Sequence, residues 1–182
     1  MTIPALDTIA GTWTIDAAHS AIGFAATHAM VTKVRGRFDD FSGTINVTGE
    51  NEAQVDVVIQ TASIDTRQDY RDNHLRSADF FDAEQFPTME FHSTGISVKD
   101  DEEFTLHGDL TIKGVTKPVS IDVEVGGVHT DQNGALRAGF EGDLAISRKE
   151  WGLTWNVALE SGGWLVSDKI KINLDISVVK DA

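Results

Sequence analysis

Apolar and polar residues alternate along most of this chain, a pattern that places every second side chain on the same face of a β-strand. The alternation is clearest in two consecutive segments, where apolar residues occupy positions 104, 106, 110 and 112 and then 119, 121, 123 and 125. Residues 114–118 between them have the composition of a turn, which predicts a hairpin. Longer alternating segments follow at 136–146 and 170–178. An all-β fold is therefore predicted.

The alternation changes phase once in the first quarter of the chain. Val34 and Phe38 occupy even positions, whereas Phe41 and Ile45 occupy odd ones. One extra residue in a strand returns the apolar side chains to the same face, so a bulge or corner is predicted near residues 39–40. Such corners help a sheet to close on itself.

Two segments do not alternate. Residues 68–81 are polar and are predicted to form one short helix, with Thr66 or Asp69 as its N-cap. Residues 152–163 are predicted to be an irregular loop between the last two strands. No long linker, repeat or low-complexity segment divides the chain, and 182 residues suit one domain.

The strands must bury one apolar face and leave no exposed sheet edge, and closure into a barrel achieves both. A β-sandwich would also bury the apolar face. Strands of about ten residues exceed the usual length of about five or six, which favours a tall barrel. The prediction is an antiparallel β-barrel of about eight strands with one short helix, and a barrel of that size can enclose one small ligand.

Charge and composition exclude several kinds of function. The chain has 29 acidic residues against 15 Lys and Arg, a formal net charge of -14 that disfavours nucleic-acid binding. It has no cysteine, which excludes disulfides and thiol chemistry. No run of about 18 apolar residues predicts a membrane-spanning helix. The first residues lack the pattern of a secretory leader, so a cytoplasmic location is expected.

Several segments together resemble the YceI-like family, and the resemblance covers most of the chain. The segments that carry it are DAAHSAIGFAATH at 16–28, VRGRFDDFSG at 34–43, SIDT at 63–66, RDNHLRSADFFD at 71–82, FP at 86–87, GDLTIKGVTKP at 108–118 and SRKEWG at 147–152. Each segment alone is a weak signal, whereas their order and spacing are specific. Many relatives look secreted or periplasmic and have a leader, from which this chain departs.

The resemblance implies an elongated, lipocalin-like barrel that binds a polyisoprenoid or another long-chain lipid without a covalent cofactor. It also implies a homodimer. The whole of residues 1–182 is expected to form this one lipid-binding domain, with residues 1–10 as an N-terminal extension. Stable insertion into a membrane is not expected.

The candidate ligand-binding residues lie on strand faces that are predicted to point inward, or beside the last loop. Each of the aromatic residues could instead fill a solid core, although their number favours a partly open apolar tunnel. The predicted ligand-binding residues are Ile22, Phe24, His28, Phe38, Phe41, Phe91, Leu106, Leu110, Phe140, Trp151 and Ile172.

Three groups of polar residues have alternative interpretations. His28 could offer a hydrogen bond to a lipid head at the inner rim, or could be satisfied by the backbone. The basic row of Lys33, Arg35 and Arg37 could attract a phosphate or a lipid head group, although a solvated outer face is the simpler interpretation. The residues of the RDNH segment at 71–74 could serve acid–base chemistry, but a short polar helix uses the same residues for capping and ion pairs.

Three functions remain open at this stage. Sequestration of a lipid in the barrel is the leading hypothesis. An enzyme that acts on isoprenoid or quinone intermediates is an alternative, but the chain shows no nucleophile motif, no nucleotide fingerprint and no metal-binding spacing among its six histidines. No catalytic and no metal-binding residue is therefore predicted. A solid barrel that binds a partner on its outside is the third possibility.

Overall fold

A computed structural model describes residues 9–49 and 51–182 of the chain. In this part of the protein eleven strands are joined by short connections, one α-helix and three 3-10 helices. The strands are β1 Gly11–Ile15, β2 Ala21–His28, β3 Thr32–Phe38, β4 Phe41–Gly49, β5 Glu52–Gln60, β6 Ile64–Asp65, β7 Thr88–Val98, β8 Glu103–Ile112, β9 Val115–Thr130, β10 Leu136–Ser147 and β11 Lys169–Lys180. The α-helix, α1, is Asp69–Arg76, and the 3-10 helices are Ala17–His19, Thr61–Ser63 and Arg148–Trp151.

The strands form one closed antiparallel barrel. Strand β1 pairs with β4 on one side and with β11 on the other, which completes the ring β1-β4-β5-β7-β8-β9-β10-β11. Strands β2, β3 and β6 extend the wall, because β11 also pairs with β2, β2 pairs with β3, and β3 pairs with β6. The predicted all-β, eight-stranded antiparallel barrel with one short helix is confirmed.

The corner that the phase change predicts lies where β3 gives way to β4. Residues 39 and 40 separate the two strands, and Phe38 and Phe41 on either side are both buried. The amide of Asp39 donates to the carbonyl of Ser63 (3.2 Å), and the carbonyl of Asp40 accepts from the amide of Gln60 (2.9 Å). The corner therefore turns the wall while both flanking strands keep their apolar sides inward.

The turn of the β8–β9 hairpin is shorter than predicted. Only Lys113 and Gly114 lie outside the strands, and both have positive φ (50° and 73°). Positive φ at both central residues is the backbone form that matches the twist of a tight hairpin. The predicted turn at 114–118 was therefore wrong beyond Gly114, and Pro118 lies inside β9 opposite Asp109.

The single helix forms within the predicted segment 68–81, but it ends at Arg76, five residues earlier than predicted, and its cap is different. The N-cap position is Gln68, which makes no side-chain capping bond. The buried carboxylate of Asp72 instead accepts hydrogen bonds from the amide (2.9 Å) and the hydroxyl of Thr66. Arg71 adds a bond from Nη2 to the Thr66 carbonyl (2.7 Å). Thr66 is thus held by the helix rather than capping it, and Asp69 is the first helical residue.

The two ends of the barrel are covered differently. One end, which we call the helix end, carries α1, residues 77–87 and the β10–β11 connection, residues 148–168. The other end carries the 3-10 helix Ala17–His19 and the tight connections at 99–102 and 131–135. Ile9 lies within the predicted N-terminal extension and is buried, with its carbonyl accepting from Trp13 Nε1 at 2.7 Å. Residues 1–8 of that extension lie outside the described residues.

Candidate functional site

The interior of the barrel holds a cavity of about 270 Å³. In the part of the chain that the structure describes, Glu141 and Arg148 are the charged residues along it, and every other lining residue is apolar or a glycine. Glu141 is an exposed residue of β10, so its carboxylate is directed to solvent. The cavity wall is therefore almost entirely hydrocarbon and aromatic, and the barrel is not solid.

The cavity is long and narrow. Four alternate residues of β11, Ile170, Ile172, Leu174 and Ile176, all line it. Ile170 and Ile176 are six residues apart, a rise of about 20 Å along the strand, so the lining follows more than half of β11. A volume of about 270 Å³ spread over that length suits one extended chain better than a compact ring system.

Nine of the eleven predicted site residues line this cavity. They are Ile22, Phe24, Phe38, Phe91, Leu106, Leu110, Phe140, Trp151 and Ile172. The period-two pattern identified all of them except Trp151, because residues of one parity share one side of the wall; Trp151 was chosen for its place beside the last loop. Their contact with a ligand stays a prediction.

The structure does not place His28 and Phe41 in the cavity wall. His28 is the last residue of β2, is exposed, and is followed by Ala29 and Met30 with positive φ (48° and 69°). Where a strand ends and the chain turns away, an odd or even position no longer predicts which side of the wall a side chain faces. Phe41 is buried in the core beside the corner, but the cavity does not extend to it.

The helix end contributes lining residues that the sequence pattern missed. Leu75, Phe80 and Phe81 come from α1 and the residues after it, and Leu153 and Val166 come from the β10–β11 connection. These segments lack a regular period. The only available signal was the presence of isolated large apolar residues in otherwise polar segments.

Aromatic rings close the helix end. Phe38 contacts Phe24 and Phe81, with ring centroids 5.7 and 5.9 Å away. His74 packs edge-on against Phe80 and Trp155 at 5.1 and 4.7 Å. The Nε2 of His74 also lies 2.8 Å from the carboxylate of Asp79. His74 therefore takes part in packing the cover of the barrel, which agrees with the structural interpretation of the RDNH segment.

Arg148 is a buried cation at the same end. Its guanidinium donates to the carbonyls of Ser167 (2.9 Å), Leu153 (2.6 Å), Trp155 (3.0 Å) and Val166 (3.3 Å). Desolvation lowers the pKa of Arg148, and the nearby carboxylate of Asp168 opposes that effect. A planar group with five donors in fixed directions can gather several carbonyls at once. Arg148 thus organises the β10–β11 connection against the cavity.

Asp168 supports this arrangement from the other side of the connection. Burial alone would raise the pKa of Asp168, but hydrogen bonds from Ser147 Oγ (2.6 Å) and the Lys149 amide (3.2 Å) lower it overall. The carbonyl of Asp168 also accepts from the Arg148 amide at 3.0 Å. The connection is therefore tied to the end of β10 by charge and by backbone bonds.

Two glycines allow aromatic rings to approach the backbone of the inner wall closely. A Cβ atom at Gly36 would collide with the ring of Phe24, and one at Gly108 would collide with the ring of Phe91. Gly108 is buried and faces inward, as its parity with Leu106 and Leu110 predicts. The missing side chains therefore make room for rings that themselves line the cavity.

Within residues 9–49 and 51–182, no group of three or more acidic or histidine side chains is arranged to hold a metal ion. No α-helix among the described residues has the length and apolar character needed to cross a bilayer.

An antiparallel barrel closed around an apolar cavity belongs to the class of hollow β-barrels. Comparison with known proteins refines this class. The family model described as YceI-like domain matches residues 13–178. The UPF0312 protein SAB2563 of Staphylococcus aureus (strain bovine RF122 / ET3-1) is 37% identical over 164 residues, which cover 87% of this chain and 92% of that protein. The chain belongs to the YceI-like family.

Two solved structures show the same fold. The YceI protein of Campylobacter jejuni superposes with a TM-score of 0.74 at 31% identity, covering 86% of this chain and 90% of that one. A polyisoprenoid binding domain from Saccharophagus degradans, implicated in plant cell wall breakdown, superposes with a TM-score of 0.71. It is 16% identical, and the match covers 93% of this chain and 98% of that chain.

Proposed function

We propose that this protein binds a long-chain isoprenoid or a similar amphiphilic lipid in its barrel and stores or carries it. The observation that supports the proposal is the shape and chemistry of the interior, which is about 270 Å³, elongated and lined almost wholly by apolar side chains. A hydrocarbon chain is the ligand that gains most from such a wall, because it has no polar groups to leave unpaired. The related fold of a polyisoprenoid binding domain supports the same ligand class.

Burial of hydrocarbon rather than a polar contact would set the affinity. Removing on the order of 500 Å² of lipid surface from water contributes roughly 12 kcal/mol before the costs of ordering are subtracted. One neutral hydrogen bond contributes only about 1 kcal/mol. Changes to the free width of the cavity should therefore matter more than changes to any polar residue near it.

We further propose that the protein acts without catalysis. Of the two charged residues that line the cavity in the described part of the chain, Glu141 directs its carboxylate to solvent and Arg148 is buried. The guanidinium of Arg148 already donates to four backbone carbonyls. A lipid bound there would meet few groups able to exchange a proton. A bound prenyl alcohol should accordingly be recovered unchanged after prolonged incubation, and its steady conversion to another compound would contradict this proposal.

The experiment that tests lipid binding compares two adjacent residues of β2. Ala26 lines the cavity, whereas Ala25 lies on the outer face between Lys171 of β11 and Arg35 of β3. Ala26→Phe should remove most of the lipid that is seen by native mass spectrometry and recovered by solvent extraction. Ala25→Phe adds the same ring outside and should retain the lipid.

A second cavity variant guards against a folding defect in the first. Val57→Phe narrows the cavity from β5, and its folding can be checked by circular dichroism. His28→Ala, outside the cavity, should leave lipid recovery unchanged. Equal lipid recovery from folded Ala26→Phe, folded Val57→Phe and the unaltered protein would refute the proposed site, and so would the absence of any lipid after exposure of the unaltered protein to a prenyl alcohol.

A further inference from the structure

Exposed large apolar residues are concentrated at one place on the surface. Among the described residues, Met30, Val31, Val157 and Trp164 have exposed fractions of 63%, 84%, 45% and 54%. The fifth such residue, Tyr70, belongs to α1. The first four belong to just two segments, the β2–β3 turn and the β10–β11 connection. We call these four residues the apolar tip.

The two segments of the apolar tip are in direct contact. The amide of Ala29 donates to the carbonyl of Leu165 at 2.7 Å, and the amide of Leu165 donates to the carbonyl of Val157 at 2.9 Å. Met30 packs over Gly163, where an added Cβ would lie 2.9 Å from the methionine sulfur. The exposed apolar side chains therefore form one surface rather than scattered sites.

A group of basic residues flanks the apolar tip on the outer wall. Lys33 and Arg35 of β3 and Lys169 and Lys171 of β11 are all exposed. Strand β2 lies between them, with Ala25 opposite both Lys171 and Arg35. None of the four has an ion-pair partner within the described residues. We call these four residues the basic face.

A row of acidic residues lies farther along the same outer wall. Glu103, Glu124, Glu141 and Asp175 lie opposite one another across β8, β9, β10 and β11. This row is near the end of the barrel remote from the β2–β3 turn. An anionic surface would repel the carboxylate row and attract the basic face, and would thereby orient the apolar tip toward itself.

We propose that the apolar tip and the basic face together dock the protein on an anionic lipid membrane. Lys and Arg would meet lipid head groups while Met30, Val31 and Trp164 enter the interfacial region, the location that tryptophan favours. The tip also adjoins the cavity, because His28 bridges to the cavity-lining residue Val166. A lipid that leaves the membrane would therefore meet the helix end of the barrel. The transfer of a lipid from the membrane to the barrel rests on the proposed function, whereas docking on the membrane does not.

Sedimentation with vesicles tests the proposal. The protein should sediment with vesicles of phosphatidylcholine and phosphatidylglycerol in equal parts, but not with phosphatidylcholine alone, and high salt should release it. Each removed cation should weaken binding to the anionic vesicles by roughly fivefold. The double variant Lys33→Gln, Arg35→Gln should therefore lose most of its vesicle binding. Lys117→Gln, an exposed lysine of β9 away from the basic face, is the matched control. Unchanged binding in the double variant would overturn the proposal.

The apolar part is tested by Val31→Ser with Trp164→Ser, with Tyr70→Ser as the control. The double variant should bind anionic vesicles at least tenfold more weakly, while the control should bind normally. Tryptophan emission should shift to the blue on vesicle binding in the unaltered protein but not in Trp164→Phe. Equal binding by neutral and anionic vesicles, or failure to bind either, would overturn the proposal.

Two further measurements distinguish membrane docking from dimerisation through the apolar tip and from lipid binding in the cavity. If gel filtration showed a dimer that Trp164→Ser converts to a monomer, the tip would be an interface with a second copy and membrane docking would be refuted. Ala26→Phe, which fills the cavity, should still dock on anionic vesicles. Loss of lipid from Ala26→Phe with normal docking on vesicles would therefore agree with both proposals. Lipid binding by the unaltered protein without docking on vesicles would refute the docking proposal alone.

Discussion

The indole Nε1 of Trp151 donates a hydrogen bond of 2.9 Å to the backbone carbonyl oxygen of Leu110. Trp151 follows β10, whereas Leu110 belongs to β8, on the far side of β9 in the wall. The indole is buried and forms part of the cavity lining. This bond therefore fastens the β10–β11 connection across the helix end of the barrel.

Trp151→Phe should destabilise the protein by about 1–3 kcal/mol, because it removes this bond and leaves space beside a smaller ring. Urea unfolding measures the change. Trp164→Phe makes the same substitution at an exposed position and should leave the free energy of unfolding nearly unchanged. A similar loss in both variants would show that the bond to Leu110 has no special part in stability.

Arg148→Lys should cost at least about 2 kcal/mol, although the charge is kept, because an ammonium group cannot reach four carbonyls in these directions. Amide hydrogen exchange should accelerate in residues 153–167 before the rest of the barrel opens. Arg37→Lys, at a half-exposed guanidinium paired with Asp39, is the matched control and should change little. If amide hydrogen exchange in Arg148→Lys accelerated equally throughout the barrel, a local role of Arg148 in residues 153–167 would be contradicted.

Asp16 should contribute to stability against acid. Hydrogen bonds from Arg137 and His19 lower its pKa to about 2. A lowered pKa in the folded state stabilises the fold above the unfolded value of about 4, and the contribution is lost as the pH falls toward the folded value. Asp16→Asn should therefore flatten the decline of unfolding free energy between about pH 4 and pH 2. Asp40→Asn, at an exposed carboxylate without an ion pair among the described residues, should leave that decline in place.

The row of facing carboxylates on the outer wall should be a source of instability. Glu124 lies directly between Glu103 and Glu141 on the neighbouring strands, and like charges in opposed positions repel. Glu124→Gln should raise the free energy of unfolding by roughly 0.5 kcal/mol at low salt and by less at high salt.

The neighbouring residue Asp122 provides the contrast. Its carboxylate pairs with Lys99 at 2.7 Å, and this bond lowers the pKa of Asp122. Asp122→Asn should therefore leave the stability unchanged or reduce it. A gain of stability in Asp122→Asn as large as in Glu124→Gln would indicate a general effect of net charge rather than of the row.

The pattern of alternation was enough to predict the barrel and most of its inner wall. Parity alone assigned Phe24, Phe91, Leu106 and Phe140 to the interior, because a half-buried strand repeats every two residues. Parity also located the corner near residues 39–40. These features depend on local sequence, and closure of the sheet follows from the need to satisfy its edges.

The alternation did not predict features that depend on where a strand ends or on which strands are neighbours. His28 keeps the inward parity of β2 but lies where the wall turns away. Arg148 was no candidate, because its burial requires four carbonyls supplied by an irregular segment. The basic face needed the register that brings β11 beside β2 and β3.

Strand β11 completes the ring, since it pairs with β10 on one side and with both β1 and β2 on the other. It is also the last of the eleven described strands in chain order, and a growing polypeptide emerges from the ribosome with its N-terminal part first. Until β11 is synthesised, β1 and β10 each lack a neighbour along part of their length. Nascent molecules therefore expose unpaired strand edges, and the apolar interior is enclosed only after β11 has been synthesised.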